Sequence, residues 1–150
     1  MDGHRPTADF VVEGPDGGIQ LVVEASNTTA PSPEWAARFL RNLFVHAEIP
    51  RTEYFLLALR DHLYLWHRPT TEPGLPDFAG ETAKALEPYL QGHSVSLDGM
   101  YGRTFELLVH AWLIDLAAGN SADAESLAWL KDAGLLESIR NGTVRSPIAA

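Results

Sequence analysis

Two short runs near the start of the chain combine β-forming residues with a turn, and together they predict a β-hairpin. The runs cover residues 10 to 13 and 19 to 24, on either side of a Pro-Asp-Gly-Gly loop. Side chains along a strand alternate between its two faces. One face of this hairpin is wholly apolar and is expected to point into the core; it comprises Phe10, Val12, Leu21 and Val23.

The other face of the hairpin carries acidic residues. Because antiparallel partners keep a constant index sum, pairing across the loop places Glu13 opposite Gln20 and Asp9 opposite Glu24. Two acidic side chains that face each other repel unless a positive charge lies between them. The register therefore marks Asp9 and Glu24 as candidate metal ligands, although carboxylates that simply end two strands in water would give the same pattern.

A helix is predicted after the hairpin, with Ser32 as N-cap, Pro33 at the first helical position and Glu34 near the positive end of the helix dipole. Its apolar stripe, which is expected to cover the sheet, comprises Trp35, Phe39, Leu40, Leu43 and Ala47. Residues 54 to 59 are apolar on both faces, as in a buried central strand, and residues 63 to 66 form the next strand.

The pattern changes after these strands. A loop rich in proline and glycine is predicted over residues 67 to 80. Helices are expected over residues 81 to 89, 103 to 118, 123 to 133 and 135 to 140. They are short and amphipathic, so they are expected to pack on the sheet. The sequence thus predicts one α/β domain over residues 1 to 150, a short mixed sheet with a packed helix followed by a C-terminal helical layer.

The composition restricts both chemistry and partners. The chain of 150 residues has no cysteine, which excludes zinc-thiolate sites and thiol nucleophiles. Its formal net charge is -9 and its lysines are Lys84 and Lys131, so nucleic acid is a partner that the charge does not favour. No apolar run approaches the roughly 20 residues that cross a bilayer, and no secretory signal is recognisable. We therefore expect a cytoplasmic protein that does not contact membranes.

Asp9, the hairpin, the segment EAS that begins at Glu24, the helix opening SPEWAARF and the strands YFLLAL and LYLW resemble the PD-(D/E)XK nuclease superfamily. More narrowly, they are similar to small uncharacterised bacterial proteins of that superfamily. The resemblance covers residues 9 to 66, and the helical part over residues 81 to 141, with FELLVHAWL, is similar to the same proteins. It implies a restriction-endonuclease-like core in which Asp9 and Glu24 bind Mg²⁺ or Mn²⁺ for phosphodiester hydrolysis.

The sequence departs from the superfamily at several positions. A lysine usually stands two residues after the glutamate and orients or activates the attacking water, but Ser26 occupies that position here. A neutral hydroxyl does not replace the charge of a lysine. Ala8 stands where a proline usually precedes the first acid. Because only eight residues precede Asp9, the first core helix, often the source of another glutamate, is expected to be missing or to come from a partner.

Two hypotheses from different classes follow. In the first, the protein is a metal-dependent nuclease-like hydrolase with Asp9, Glu24 and Ser26 in the catalytic site, and its activity is weakened or lost with the lysine. In the second, it is a pseudoenzyme, a non-catalytic module that kept the nuclease fold and binds a protein partner or a second copy of itself. The retained carboxylates favour the first hypothesis, whereas the acidic charge and Ser26 favour the second.

Overall fold

Six strands and six helices make up the part of the chain that the computed structural model describes, residues 8–30, 32–90, 97, 102–120 and 127–146. The strands are β1 (Phe10–Glu13), β2 (Ile19–Ser26), β3 (Tyr54–Leu59), β4 (His62–His67), β5 (Phe78–Glu81) and β6 (Thr143–Arg145). The helices are α1 (Pro33–His46), α2 (Thr82–Ala85), α3 (Glu87–Leu90), α4 (Gly102–Ala118), α5 (Ala128–Asp132) and α6 (Leu135–Ile139).

The strands form one mixed sheet in the order β5-β4-β3-β2-β1-β6. Neighbouring strands are antiparallel except β2 and β3, which run parallel. Parallel neighbours need a crossover connection, and α1 supplies it. The Ser32 hydroxyl accepts the backbone N–H of Trp35 at 3.2 Å, so α1 begins at the predicted N-cap. The predicted α/β class is confirmed.

The hairpin keeps the predicted register over most of its length. Val11 lies opposite Val22 and Phe10 lies opposite Val23. Because the index sum stays constant through these pairs, the residue before β1 is directed toward Glu24. The register that directs Asp9 toward Glu24 is therefore the register that the sequence predicted.

The register differs at the loop end of the hairpin. The prediction that Glu13 faces Gln20 is wrong, because Glu13 pairs with Ile19. The loop causes this shift: the Gly14 N–H donates to the Gly18 carbonyl at 2.8 Å, which leaves one extra residue in β2. Such a bulge follows from how the loop closes, and the alternation of side chains does not show it.

Helices cover the sheet on both faces. The apolar set predicted from the hairpin lies in one layer with α4, α5 and α6. The opposite layer contains Val11 and Val22 and packs against Ala36 and Leu40 of α1. Every residue of β3 is buried, as expected of a central strand. None of the helices in the described ranges is long and apolar enough to cross a membrane.

The sequence predicts neither edge strand. β5 occupies the end of the expected loop and the first residue of the expected helix over residues 81 to 89, and β6 follows the last predicted helix. Both strands carry exposed residues without hydrophobic alternation, so the local pattern contains little signal. A tertiary contact holds the end of β5, since the buried Thr82 hydroxyl donates to the Leu59 carbonyl at 2.6 Å. The helix predicted over residues 123 to 133 lies partly outside the described residues.

Gly80 of β5 lies against the indole of Trp129, and a Cβ at this position would be 2.4 Å from the Trp129 Cε2 atom. We expect Gly80→Ala to lower the free energy of unfolding by about 1–3 kcal/mol, because the ring must move to admit the methyl group. Chemical denaturation measures this change. For the control Gly74→Ala, no atom lies within 4 Å of the new Cβ, so a change below about 0.5 kcal/mol is expected. Equal effects of the two substitutions would contradict the packing of α5 on β5.

Candidate carboxylate site

Asp9 lies in a bend immediately before β1, and its side chain extends the hairpin ladder by one residue. The Asp9 Oδ2 atom accepts the backbone N–H of Ala25 at 2.8 Å. A carboxylate oxygen thus takes the place that a backbone carbonyl would fill in a longer strand. The backbone of β2 therefore fixes the Asp9 carboxyl at the end of the hairpin.

Glu24 lies in β2 and meets Asp9, as the hairpin register predicts. The Glu24 carboxyl accepts the backbone N–H of Asp9 and is hydrogen-bonded to the Asp9 carboxyl. Two carboxyls can share a hydrogen bond only when one of them holds a proton. The structure thus brings together the two acids that the sequence singled out, while their role in metal binding stays a prediction.

A third carboxyl, that of Glu106 on α4, joins this pair. It is hydrogen-bonded to Asp9 and lies close enough to Glu24 to affect the pKa of that carboxyl. The ring of His110, one turn further along α4, stacks on Phe10 with 5.0 Å between ring centroids. This stacking holds α4 beside β1, so that Glu106 faces the end of the hairpin. We refer to Asp9, Glu24 and Glu106 as the carboxylate cluster.

Glu106 is not among the candidate site residues that the sequence indicates. The residue is half-buried beside the apolar stripe of α4, next to Phe105 and one turn before Val109, which are both fully buried. Charged residues commonly flank the apolar stripe of an amphipathic helix, so the sequence offers little signal that Glu106 belongs to a site. The helical period shows which face of α4 is buried, but it does not show which strand end that face meets.

Burial has the largest effect on the pKa values of this cluster. The pKa of Asp9 is raised from 3.8 to about 6, mainly by burial; the Ala25 N–H opposes this rise and the Glu106 carboxyl contributes to it. The pKa of Glu24 is raised from 4.5 to about 8, again mainly by burial, with a further contribution from the negative charge of Asp9. The groups that raise these pKa values, besides burial itself, are the neighbouring carboxyls. At neutral pH a proton on Glu24 therefore takes the place of a compensating cation.

Two observations bear on whether a metal ion fits the cluster. The Glu24 Oε1 atom is buried without a hydrogen-bond partner, which is uncommon for a carboxylate oxygen. Mg²⁺ needs only one or two carboxylates because it keeps several waters. However, within the described ranges no three His, Cys, Asp or Glu side chains are grouped so as to hold a metal ion. The carboxyls contact one another, so a cation would have to displace the proton that they share.

Ser26 is the last residue of β2 and is paired in register with Leu59 of β3. It lies two residues after Glu24, so the alternation of the strand places both side chains on the same face. The position is half-buried, and the hydroxyl brings no charge to it. The resemblance to the superfamily would place a lysine ammonium on this face, where this chain has the Ser26 hydroxyl.

No protein-family model matches the chain, and no curated protein or solved structure matches it. The function of the protein is therefore inferred from the geometry of the carboxylate cluster and from the resemblance to the superfamily.

The raised pKa values are expected to make the protein less stable as the pH rises. The unfolded chain loses protons near pH 3.8 and 4.5, whereas the folded cluster keeps a proton up to about pH 8. Between these limits the folded state binds more protons, so the free energy of unfolding falls with increasing pH. The slope for one proton is about 1.4 kcal/mol per pH unit, and solvent at this half-buried site reduces it. Urea denaturation from pH 5 to pH 8 measures the slope.

Glu24→Gln is the informative variant, because the amide keeps the shape of the side chain and cannot ionise. We expect a clearly smaller slope in this variant. Glu48→Gln removes an exposed carboxyl instead and should keep the slope of the wild type. If Glu24→Gln and the wild type lose stability equally as the pH rises, the folded state does not hold a proton at Glu24.

Proposed function

We propose that the protein is a PD-(D/E)XK nuclease-like protein with a restriction-endonuclease-like core, which binds Mg²⁺ or Mn²⁺ at the carboxylate cluster. Phosphodiester hydrolysis at this site is weak or lost, because Ser26 stands where the superfamily has a lysine. The arrangement of β1 to β4 supports the proposal. These strands form a mixed sheet in which the hairpin carries both acids and α1 packs on one face.

The contact between Asp9 and Glu24 is the observation that carries this proposal. Burying two adjacent carboxyls is unfavourable, and strongly shifted pKa values of this kind are concentrated at functional sites. The Glu24 Oε1 atom, buried without a partner, is an available ligand for a hard cation. Glu106 adds a third acid from α4, where the resemblance leads one to expect a glutamate from a first core helix.

The residues of the cluster have distinct tasks in this proposal. Asp9 and Glu24 hold the metal ion, and the Ala25 N–H orients the Asp9 carboxylate. Ligands must be deprotonated, so metal binding releases the proton that Glu24 holds at neutral pH. An ion held by Asp9 and Glu24 would supply Lewis-acid polarisation of a phosphoryl oxygen. Ser26 contributes no charge that could stabilise the developing negative charge on the phosphate.

The second candidate is a non-catalytic interaction module, and the internal hydrogen bonds of the cluster favour it. Asp9 is hydrogen-bonded to both Glu24 and Glu106, so the cluster has internal contacts that need only a shared proton. The net charge of -9 also opposes binding to nucleic acid. On this alternative the protein acts by binding another protein or a second copy of itself, and the cluster is a remnant of the nuclease site.

A Mn²⁺ titration tests the first candidate. A ligand that binds only the folded state stabilises it by about 2.7 kcal/mol at 100 times its Kd. For a chain of this length we expect the Tm to rise by about 5–10 °C at such a concentration. The rise should be larger at pH 8.5 than at pH 6, because Glu24 must lose its proton before it binds the ion. Differential scanning calorimetry measures both effects.

Asp9→Ala and Glu24→Ala should abolish the Mn²⁺-dependent rise in Tm. Glu48→Ala, which removes an exposed carboxylate shortly after the end of α1, should retain the Mn²⁺-dependent rise in Tm. A wild-type Tm that does not respond to Mn²⁺ at pH 8.5, or a response that survives in both cluster variants, would rule out metal binding here and favour the interaction module.

Restoring the missing cation tests the assignment of Ser26. The side chain of Ser26→Lys would extend on the same strand face as Glu24, where an ammonium can stabilise charge on a phosphate. We expect the wild type to be nearly inactive and Ser26→Lys to nick supercoiled plasmid at least about a hundredfold faster with Mn²⁺, as one electrostatic interaction is often worth several kcal/mol. Gel electrophoresis of the plasmid measures the rate.

Ser26→Lys combined with Asp9→Ala is the matched control and should be inactive. Strong cleavage by the wild type that depends on Asp9 would show that the site is an active nuclease with an unusual composition. If Ser26→Lys folds, binds Mn²⁺ and still does not cleave, the hydrolytic part of the proposal is wrong while the metal site stands.

A further inference from the structure

A cavity of about 710 Å³ opens at the far end of the sheet from the carboxylate cluster. Ile19, the first residue of β2, lines it, whereas Glu24 lies five residues further along the same strand. At about 3.3 Å per residue the two positions are roughly 16 Å apart. The cavity is therefore separate from the site described above, and its volume is in the range of small-molecule pockets.

Apolar side chains form one wall of this cavity. Ile19 comes from the sheet, Phe44 from the last turns of α1, and Ile49 from the connection between α1 and β3. Pro69, after β4, contributes to the wall from the other side. These residues are rigid or well packed, since Ile19, Phe44 and Ile49 contact the buried layer under α1. A ligand with an apolar body would bury surface here without extensive rearrangement.

The rim of the cavity carries an excess of positive charge. Arg51 and Arg68 line it, and Glu53 is the acidic residue among the lining side chains. The Glu53 carboxylate already has partners, because its Oε2 atom accepts the Arg68 Nε–H at 2.8 Å and lies 2.9 Å from His67 Nε2. Arg51 forms no ion pair with an acidic residue in the described part of the chain. One guanidinium at the rim thus lacks a charge partner, in a protein whose net charge is -9.

Arg68 is held in an uncommon backbone conformation at this rim. Its φ angle is 50°, in the left-handed region that side chains other than glycine rarely adopt. Two contacts with Glu53 hold Arg68 in this conformation. The Arg68 backbone N–H donates to the Glu53 carbonyl at 2.7 Å, and the two side chains form an ion pair. Conformations of this kind persist where neighbouring contacts impose them, and they are concentrated at ligand sites. The guanidinium of Arg68 is thereby placed in advance beside the cavity.

We propose that this cavity binds a small organic anion that combines an apolar body with one acidic group. The apolar wall takes the body, and Arg51 binds the acidic group with Arg68 beside it. A charge-assisted hydrogen bond from a guanidinium to a carboxylate, sulfonate or phosphate oxygen supplies orientation and affinity. This inference does not depend on metal binding or on nuclease activity at the carboxylate cluster.

Two fluorescent probes of nearly equal shape test the proposal. 1-Anilinonaphthalene-8-sulfonate has an apolar body and a sulfonate, and N-phenyl-1-naphthylamine has the same body without the charge. We expect saturable binding of the sulfonate to the wild type, about tenfold tighter than binding of the neutral probe, which corresponds to one charge-assisted hydrogen bond. Fluorescence titration of the folded full chain measures both dissociation constants.

Arg51→Gln should weaken sulfonate binding about tenfold and leave binding of the neutral probe within about twofold. Arg41→Gln, an exposed charge removal on α1 outside the cavity, should change neither constant. Thr71→Trp places a large side chain at an exposed position of the cavity lining and should weaken binding of both probes, with an unchanged far-UV circular dichroism spectrum.

Four results would overturn the proposal. Absence of saturable sulfonate binding excludes a site of this chemistry. Equal affinities for the two probes, or an unchanged sulfonate affinity in Arg51→Gln, exclude recognition of the acidic group. Binding of both probes that survives Thr71→Trp in a folded protein places them outside this cavity.

Discussion

β3 is buried along its whole length, and its parallel pairing with β2 obliges the chain to cross the sheet between the two strands. α1 makes that crossing and covers one face, which leaves the other face to the C-terminal helices. The same pairing fixes the end of β2, where Glu24 and Ser26 lie next to residues of β3. Both halves of the core and the position of the candidate site therefore depend on this one strand pair.

The carboxylate cluster is electrostatically unfavourable unless a positive charge compensates its carboxylates. The hairpin register and α4 bring three acidic side chains together in a half-buried place, where burial raises the pKa of Asp9 and of Glu24. Carboxyls so arranged need a positive partner, which is either a proton or a divalent cation. At lower pH a proton shared by Asp9 and Glu24 relieves the repulsion between these two carboxyls. At higher pH that proton is lost, and the two carboxylates repel each other.

The two ends of the parallel strand pair differ in charge. Acidic side chains gather where β2 ends, whereas Arg51 and Arg68 lie at the cavity beside the start of β2 and β3. The residues on the intervening length of β2 and β3 are mostly buried and apolar, and they keep the two regions about 16 Å apart. The net charge of -9 is a sum over the whole chain and does not show this separation of charge. The charge that a partner meets therefore depends on which of the two regions it approaches.

The sequence by itself determined the features that depend on neighbouring residues: the hairpin, the N-cap of α1, the buried strand β3 and the register that places Asp9 beside Glu24. Side-chain alternation, helical period and capping chemistry are local, so they can be read along the chain. The tertiary structure decided what depends on distant contacts, including β5, β6, the bulge opposite Glu13 and the arrival of Glu106 at the cluster. Edge strands have little hydrophobic pattern, and the place where α4 meets the hairpin is set by packing between residues far apart in sequence, which no local pattern encodes.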